Sequence, residues 1–140
     1  MKKKEIVTIK SSINAPAEKV WEFWTDPKHI VKWNNASDDW HTPSATNDLK
    51  TGGRFTSRME AKDGSMGFDF GGVYDDVKPH EHIAYTMDDG RTVDITFAKD
   101  GNVTNVVETF EAEETNPVEM QRGGWQSILD NFKKYTEDNL

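Results

Sequence analysis

The stretch from Thr115 to Leu140 reads TNPVEMQRGGWQSILDNFKKYTEDNL and has a different pattern from the residues before it. Its apolar side chains recur at steps of three and four residues: Trp125, Ile128, Leu129, Phe132 and Tyr135 or Thr136. That spacing places them on one face of an α-helix. A capping residue before Pro117, with the proline in the first turn, marks the start of the helix. We therefore predict one long amphipathic C-terminal helix, whose apolar face needs a partner surface.

A series of strands before this helix can supply that surface. Apolar and polar side chains alternate near residues 55–60, 68–71, 83–87, 93–97 and 103–112. Turn sequences separate several of these segments, at residues 62–65, 88–90 and 99–102. Such short connections predict an antiparallel meander with one apolar face, and the C-terminal helix is the only element long enough to cover that face.

The N-terminal part of the chain predicts one strand and two short helices. Residues 5–13 alternate with a period of two and are rich in β-branched side chains. Asn14 or Ala15 near the cap, with Pro16 in the first turn, predicts a helix that Pro27 interrupts, and Asp26 can cap a second helix. Residues 34–50 are polar and rich in turn formers, so we expect mostly loop with one short strand near residues 45–48.

Composition limits the class of protein and its partners. At 140 residues the chain has a usual single-domain length, and we treat residues 1–140 as one domain. Its formal net charge of −8 argues against binding to nucleic acid or to an anionic bilayer. The chain contains no Cys, which excludes disulfides and thiolate sites and fits the cytoplasm.

Targeting signals are not predicted either. Lys2, Lys3 and Lys4 resemble the basic start of a signal peptide, but an alternating pattern follows them where an apolar run is required. No later stretch approaches the roughly 20 apolar residues of a membrane span.

The order of elements predicts an α+β fold. A curved antiparallel β-sheet is expected to wrap around the long C-terminal helix, with two short helices between strands 1 and 2. Such a sheet curls away from a straight helix at its ends, so the space between them can be incompletely filled. A cavity is therefore a natural consequence of the architecture.

Several short motifs also occur in a recognisable order. They are Ala15-Pro16-Ala17-Glu18-Lys19-Val20-Trp21, Thr25-Asp26-Pro27 followed by Trp33, Gly53-Arg54-Phe55, Asp63-Gly64, Gly72-Val73-Tyr74 followed by Pro79, and Gly123-Gly124-Trp125. In these motifs the chain resembles the START-like or SRPBCC superfamily, also called birch-pollen-allergen-like, and its activator of heat-shock-protein ATPase homologue branch. The resemblance covers nearly the whole chain. It implies a helix-grip fold with a pocket for an apolar or amphipathic small molecule, and no one shared reaction.

We predict that such a pocket is lined by apolar side chains of the sheet, the short helices and the long helix. The candidate ligand-binding residues are Trp24, Trp33, Phe55, Met59, Phe68, Phe70, Tyr85, Met87, Ile95, Phe97, Glu108, Phe110, Trp125 and Ile128. The alternative is that the same residues form an ordinary closed core. Gly123 and Gly124 cost a helix about 1 kcal/mol each relative to Ala, so we expect them to allow close packing or room for a ligand.

Glu108 is the most unusual member of this set. It shares a strand face with Val106 and Phe110, so an inward-facing register would put a carboxylate beside apolar rings and raise its pKa. A local bulge or a shifted register more often lets such a residue reach solvent, and we favour that interpretation.

Histidines give two further hypotheses. His80 and His82 are two residues apart and can face one side of a strand, as metal ligands do, but a solvated turn after Pro79 is the favoured interpretation. His41 lies in the loop expected to border the pocket, where an imidazole can act as a general base; an ordinary surface position is favoured for it too.

The sequence carries no known catalytic motif. It has no Gly-x-Ser-x-Gly, phosphate-binding glycine loop, dinucleotide fingerprint or His-Glu-x-x-His, so we assign no catalytic residue, cofactor or metal. The first functional hypothesis is binding of an apolar or amphipathic small molecule. The alternatives are a co-chaperone-like protein that contacts a protein partner or its own copy through the outer surface, and a polyketide cyclase- or aromatase-like enzyme.

Overall fold

A computed structural model describes residues 5–140, so Lys2, Lys3 and Lys4 lie outside the described residues. The elements in chain order are β1 (Ile6–Ile13), α1 (Ala17–Thr25), α2 (Pro27–Trp33), β2 (Trp40–Asn47), β3 (Arg54–Ala61), β4 (Gly67–Lys78), β5 (His82–Met87), β6 (Thr92–Asp100), β7 (Val103–Glu111) and α3 (Val118–Asp138). The order of strands and helices is the predicted one.

The seven strands form one antiparallel sheet in the order β1-β7-β6-β5-β4-β3-β2. β1 and β2 therefore lie at opposite edges, and α1 and α2 connect them. The sheet curls around α3, which confirms the predicted helix-grip fold with its curved sheet and two short helices. No helix within residues 5–140 is long and apolar enough to cross a membrane.

The predicted apolar stripe of α3 packs into the concave face of the sheet. Leu129 and Phe132 are almost completely buried. The ring of Phe132 meets the rings of Trp24 and Trp33 edge to face, with centroids 4.7 and 4.9 Å apart. Aromatic pairs in this geometry add stability beyond their buried area. One end of the sheet–helix interface is thus closed by large rings.

The opposite, polar side of α3 contacts the edge of β1. Arg122, Gln126 and Lys133 donate hydrogen bonds to the carbonyl oxygens of Thr8, Lys10 and Ser12. These carbonyls face outward from β1, the edge strand, where no further strand of the described sheet donates hydrogen bonds to them. The helix therefore protects the edge strand as well as covering the apolar face.

The predicted helix caps are partly wrong. Asp26 does cap α2, since its Oδ1 accepts from the backbone N–H of Lys28 at 3.1 Å. Pro16 and Pro117, however, are themselves the cap residues of α1 and α3, and neither Asn14 nor Asn116 caps with its side chain. Both prolines have extended ψ angles, of 153° and 139°, so the helical conformation begins one residue after each of them.

The short strand expected near residues 45–48 is present but is only the end of a longer strand. β2 begins at Trp40, and its register with β3 shifts between His41 and Ser44. Pro43 lies within that shift. A proline lacks the N–H that a regular ladder needs, and an edge strand with a bulge accommodates it. Four of its six paired residues follow the irregularity, and the turn-rich composition concealed the part of the strand that precedes it.

Gly123 and Gly124 do not serve close packing. A Cβ atom at either position would have no other atom within 4 Å, so the first of the two expected reasons for these glycines is wrong.

Two fully buried threonines offer a matched stability test. Thr104 Oγ1 donates to the carbonyl of Ala15 at 2.8 Å, whereas Thr136 Oγ1 has no partner among the described residues. We expect Thr136→Val to be neutral or stabilising. Thr104→Val should lower the free energy of unfolding by about 1–3 kcal/mol, because it leaves a buried carbonyl unpaired. Urea denaturation of both variants checks this, and equal losses of stability would contradict it.

Candidate ligand cavity

A cavity of about 290 Å³ lies between the sheet and the helices. Ten of the fourteen candidate residues line it: Trp24, Trp33, Phe55, Met59, Phe68, Phe70, Tyr85, Glu108, Trp125 and Ile128. They come from α1, α2, β3, β4, β5, β7 and α3, so the cavity is a property of the whole fold. Its size is close to the lower end of the range for small-molecule sites. The core is therefore incompletely closed.

Four candidate residues lie outside the lining, in the packed core: Met87, Ile95, Phe97 and Phe110. Phe110 is covered by the ring of Trp125, which stacks on it at 4.0 Å with an interplanar angle of 9°. Phe97 packs against Trp21 and Trp24 in T-shaped ring contacts. These positions share the inward face of the sheet with the lining residues, and alternation along a strand does not show where a helix covers that face.

Eight lining residues were not among the candidates: Ile30, Asn34, Thr46, Asn47, Ser57, Tyr74, Ile83 and Arg91. Ser57 and Ile83 were detectable, because each alternates with predicted inward residues on its own strand. Asn34 lies in the segment interpreted as loop, Thr46 and Asn47 lie in the short strand expected near residues 45–48, and Arg91 directly follows the turn at residues 88–90. Sequence periodicity carries no signal for them.

Glu108 faces the interior and is only 6% exposed, so the favoured interpretation of a bulge that reaches solvent is wrong. β7 pairs with β1 and β6 in an unbroken register, in which Glu108 is opposite Ile9 and Ile95. The regular ladder leaves the side chain no route outward.

The Glu108 carboxyl lines the cavity and has no hydrogen-bond partner among residues 5–140. Burial raises its pKa from an ordinary value of 4.5 to about 8. Burial also raises the pKa of the Tyr85 hydroxyl well above its usual value, and the nearby charge of Glu108 adds to that effect. The cavity thus holds a carboxyl group that is mostly protonated at neutral pH.

Tyr74 and Asn47, two other polar residues of the lining, are hydrogen-bonded within the protein. The Tyr74 hydroxyl donates to Asn47 Oδ1 at 2.6 Å, and Asn47 Nδ2 donates to the carbonyl of Thr25 at 2.7 Å. Burial raises the pKa of Tyr74 to about 12. This chain of bonds ties β4 to β2 and to the end of α1, so both polar side chains have their partners within the protein.

Arg91 is the positively charged side chain in the lining. Its Nε lies 2.8 Å from Asp89 Oδ2, and its Nη1 donates to the carbonyl of Glu111 at 3.2 Å. Its charge is therefore largely balanced by the turn before β6.

The cavity reaches the surface beside the hairpin between β3 and β4. Phe68 lines the cavity and is 49% exposed, and its ring lies 5.9 Å from that of Trp40. Asn34, at the end of α2, also lines it. Met66, at the tip of the hairpin, is exposed as well. The opening is thus bordered by apolar side chains, in the region that follows α2.

The histidine hypotheses do not lead to the cavity. His41 lies outside the lining, with Nε2 3.9 Å from Glu60. His80 is in an exposed turn against Trp21, while His82 lies 2.8 Å from both Asp76 and Asp94. The two rings therefore have different surroundings and do not form a pair. The turn at His80 agrees with the favoured interpretation, but the two carboxylates around His82 were not foreseen.

A sheet curled around a C-terminal helix, with a cavity between them, defines the class of helix-grip proteins. Residues 14–137 match the family model described as Activator of Hsp90 ATPase homolog 1-like protein. The chain belongs to this family, within the START-like proteins. No curated protein matches the chain significantly.

Solved structures extend the comparison. An AHSA1-like protein from Aeromonas hydrophila is 47% identical, with a TM-score of 0.90 over 96% of this chain and 93% of that one. A Cytophaga hutchinsonii protein is 57% identical, with a TM-score of 0.82 over 95% and 92% of the two chains. A Chromobacterium violaceum protein is 23% identical over 95% and 98% of the chains, with a TM-score of 0.83, and shares the fold.

The raised pKa of Glu108 makes stability depend on pH. The unfolded carboxyl ionises near its ordinary 4.5 and the folded one near 8, so the folded state holds an extra proton between these values. The contribution of Glu108 is fully present below pH 4.5 and is lost as the pH rises to about 8. We expect Glu108→Gln to be more stable than the wild type at pH 9, by a few kcal/mol at ~1.4 kcal/mol per unit of pKa shift.

Chemical denaturation between pH 4.5 and 9 measures this difference, which should shrink as the pH falls. Glu81→Gln is the control, because Glu81 is exposed in the turn before β5. Parallel pH profiles for the wild type and Glu108→Gln would contradict the burial of an unpartnered carboxyl.

Proposed function

We propose that this protein binds an amphipathic small molecule in the cavity between α3 and the sheet. The observation that carries the proposal is the combination of an aromatic lining with a buried, unpartnered carboxyl group. An apolar wall favours binding through desolvation, and a few polar groups fix the orientation of the ligand. A closed core would need neither the space nor the carboxyl.

The proposed ligand passes the opening at Phe68, where the lining is exposed. Its apolar body contacts the rings of Phe55, Phe70 and Trp125. Its polar end lies near Glu108 and Tyr85, two buried polar groups whose side chains have no hydrogen-bond partner among the described residues. The buried hydroxyl of Tyr74 is already engaged by Asn47 and is a less suitable contact.

Proton transfer is a second candidate function, and the position of Glu108 favours it. A carboxyl group with a pKa near 8 in a largely apolar cavity has the properties of a general acid or base at neutral pH. We propose Glu108 as the proton donor or acceptor in that case, with Tyr85 beside it. The interaction of the outer surface with a protein partner or a second copy stays a prediction.

Filling the cavity tests the binding proposal. Ser57 is buried between Phe55 and Met59 and lines the cavity, so Ser57→Phe places a ring in the empty space. We expect the wild type to bind the uncharged fluorescent probe phenylnaphthylamine with enhanced, blue-shifted emission. Ser57→Phe should weaken binding at least about tenfold, which corresponds to 1.4 kcal/mol.

The matched control is Thr96→Phe, which adds the same ring at an exposed strand position outside the cavity. It should bind the probe as the wild type does, and circular dichroism should show both variants folded. Equal binding by both variants, or none by the wild type, would overturn the proposal. Native mass spectrometry of freshly purified protein also shows whether a small molecule co-purifies.

A further inference from the structure

The side chain of Glu108 is surrounded by apolar neighbours in every direction along the sheet. Ile9 and Ile95 are opposite it on the two adjacent strands, and Val106 and Phe110 precede and follow it on the same face of β7. All four are buried. None of them can donate a hydrogen bond from its side chain, so the only direction in which the carboxyl can find a partner is the cavity.

The other polar groups of the lining do not neutralise this carboxyl. Tyr85 on β5 is close enough to interact electrostatically with it, but a hydroxyl carries no positive charge. Tyr74 on β4 is bonded to Asn47, and Arg91 before β6 is engaged by Asp89 and the Glu111 carbonyl. From α3, the lining residues are Trp125 and Ile128, neither of which titrates. A positive charge at Glu108 must therefore come from outside the protein.

The remaining wall suits a cation better than an anion. Aromatic rings from six elements line the cavity, among them Trp24, Trp33, Phe55 and Trp125. The faces of such rings attract ammonium groups. The net charge of −8 also raises the local concentration of cations around the protein and repels anions. A ligand carboxylate would have to leave water for a largely apolar site that supplies no free positive charge, which is unfavourable.

We propose that the cavity selects organic cations, namely amphipathic molecules with a protonated amine, and that the Glu108 carboxylate is the counter-ion of that amine. This inference rests on the proposed binding function and specifies its ligand class. The apolar part of the molecule fills the space between α3 and the sheet, and the ammonium group forms an ion pair with Glu108. Tyr85 is placed to accept a further hydrogen bond from it.

The proposal predicts a definite pH dependence. Glu108 is mostly protonated in the empty cavity at neutral pH, so an ammonium ligand displaces its proton to the solvent on binding. Affinity should therefore rise up to tenfold per pH unit below about pH 8 and become constant above it. An alkylamine stays protonated over this range, as lysine does with a pKa of about 10.4. A neutral ligand of the same shape displaces no proton.

Three ligands that share an eight-carbon skeleton and differ in their polar group test this proposal: octylamine, octanol and octanoate. Isothermal titration calorimetry at pH 6.5 and 8.5 gives their affinities for the wild type, Glu108→Gln and the control Glu81→Gln. We expect octylamine to bind the wild type at least about tenfold more tightly than octanol at pH 8.5, a difference of 1.4 kcal/mol. Octanoate should bind most weakly. Glu108→Gln should lose the preference for octylamine over octanol, whereas the control Glu81→Gln should keep it.

The possible results separate this inference from the binding proposal. If octanol or octanoate equals octylamine, or if Glu108→Gln retains the preference, the cavity binds ligands but not as a cation site. If none of the three binds the wild type while Thr96→Phe and the wild type still bind phenylnaphthylamine, the cation inference fails alone. If the wild type binds neither the three eight-carbon ligands nor phenylnaphthylamine, the proposed binding function itself is wrong.

Discussion

The docking of α3 against the sheet is the contact on which the rest of the structure depends. Its apolar stripe enters the concave face, while Arg122, Gln126 and Lys133 bond to the carbonyls of the edge strand β1. The two sets of contacts fix the helix beside β1 and β7. A straight helix held at that edge cannot also fill the space above β3, β4 and β5, because the sheet curves away from it. The cavity is the volume that this docking leaves open, and the rings of Phe132, Trp24 and Trp33 close only one end of it.

The same geometry explains the environment of Glu108. β7 is the second strand from the edge and pairs regularly on both sides, so its inward residues have no freedom to turn outward. Val106 and Phe110 are covered by the protein, but Glu108 faces the part of the interior that α3 leaves open. Burial then disfavours the charged form, since neither the adjacent strands nor the helix provides a counter-charge. The unusual carboxyl group is therefore a consequence of strand register together with helix position.

Much of the fold could be predicted from the sequence because its signals are periodic and local. The steps of three and four residues in α3, the alternation in β3 and β5–β7, and the turns at Gly64, Gly90 and Gly101 correspond directly to observed elements. β2 was largely missed, because its ladder is interrupted beside Pro43. For the cavity, periodicity identified the inward faces but not which inward residues α3 covers. Phe110 and Phe97 were consequently grouped with the lining, and Asn47 and Arg91 were missed. The unbroken register of β7 also places the Glu108 side chain in the interior. The bulge that often turns such a residue outward does not occur there.

The incomplete packing between α3 and the sheet and the unpartnered carboxyl both reduce the stability of the folded chain. A void in a packed interior lacks dispersion contacts, and a carboxyl group moved out of water without a partner loses its hydration. An apolar side chain at position 108 would remove the second cost, and larger residues at positions such as Ser57 would reduce the first. The two unfavourable features lie side by side in this fold, and one occupant relieves both: its apolar body restores the missing contacts and its polar end replaces the lost water. Local energetic defects that a single molecule can correct are characteristic of binding sites, where stability and activity make opposing demands.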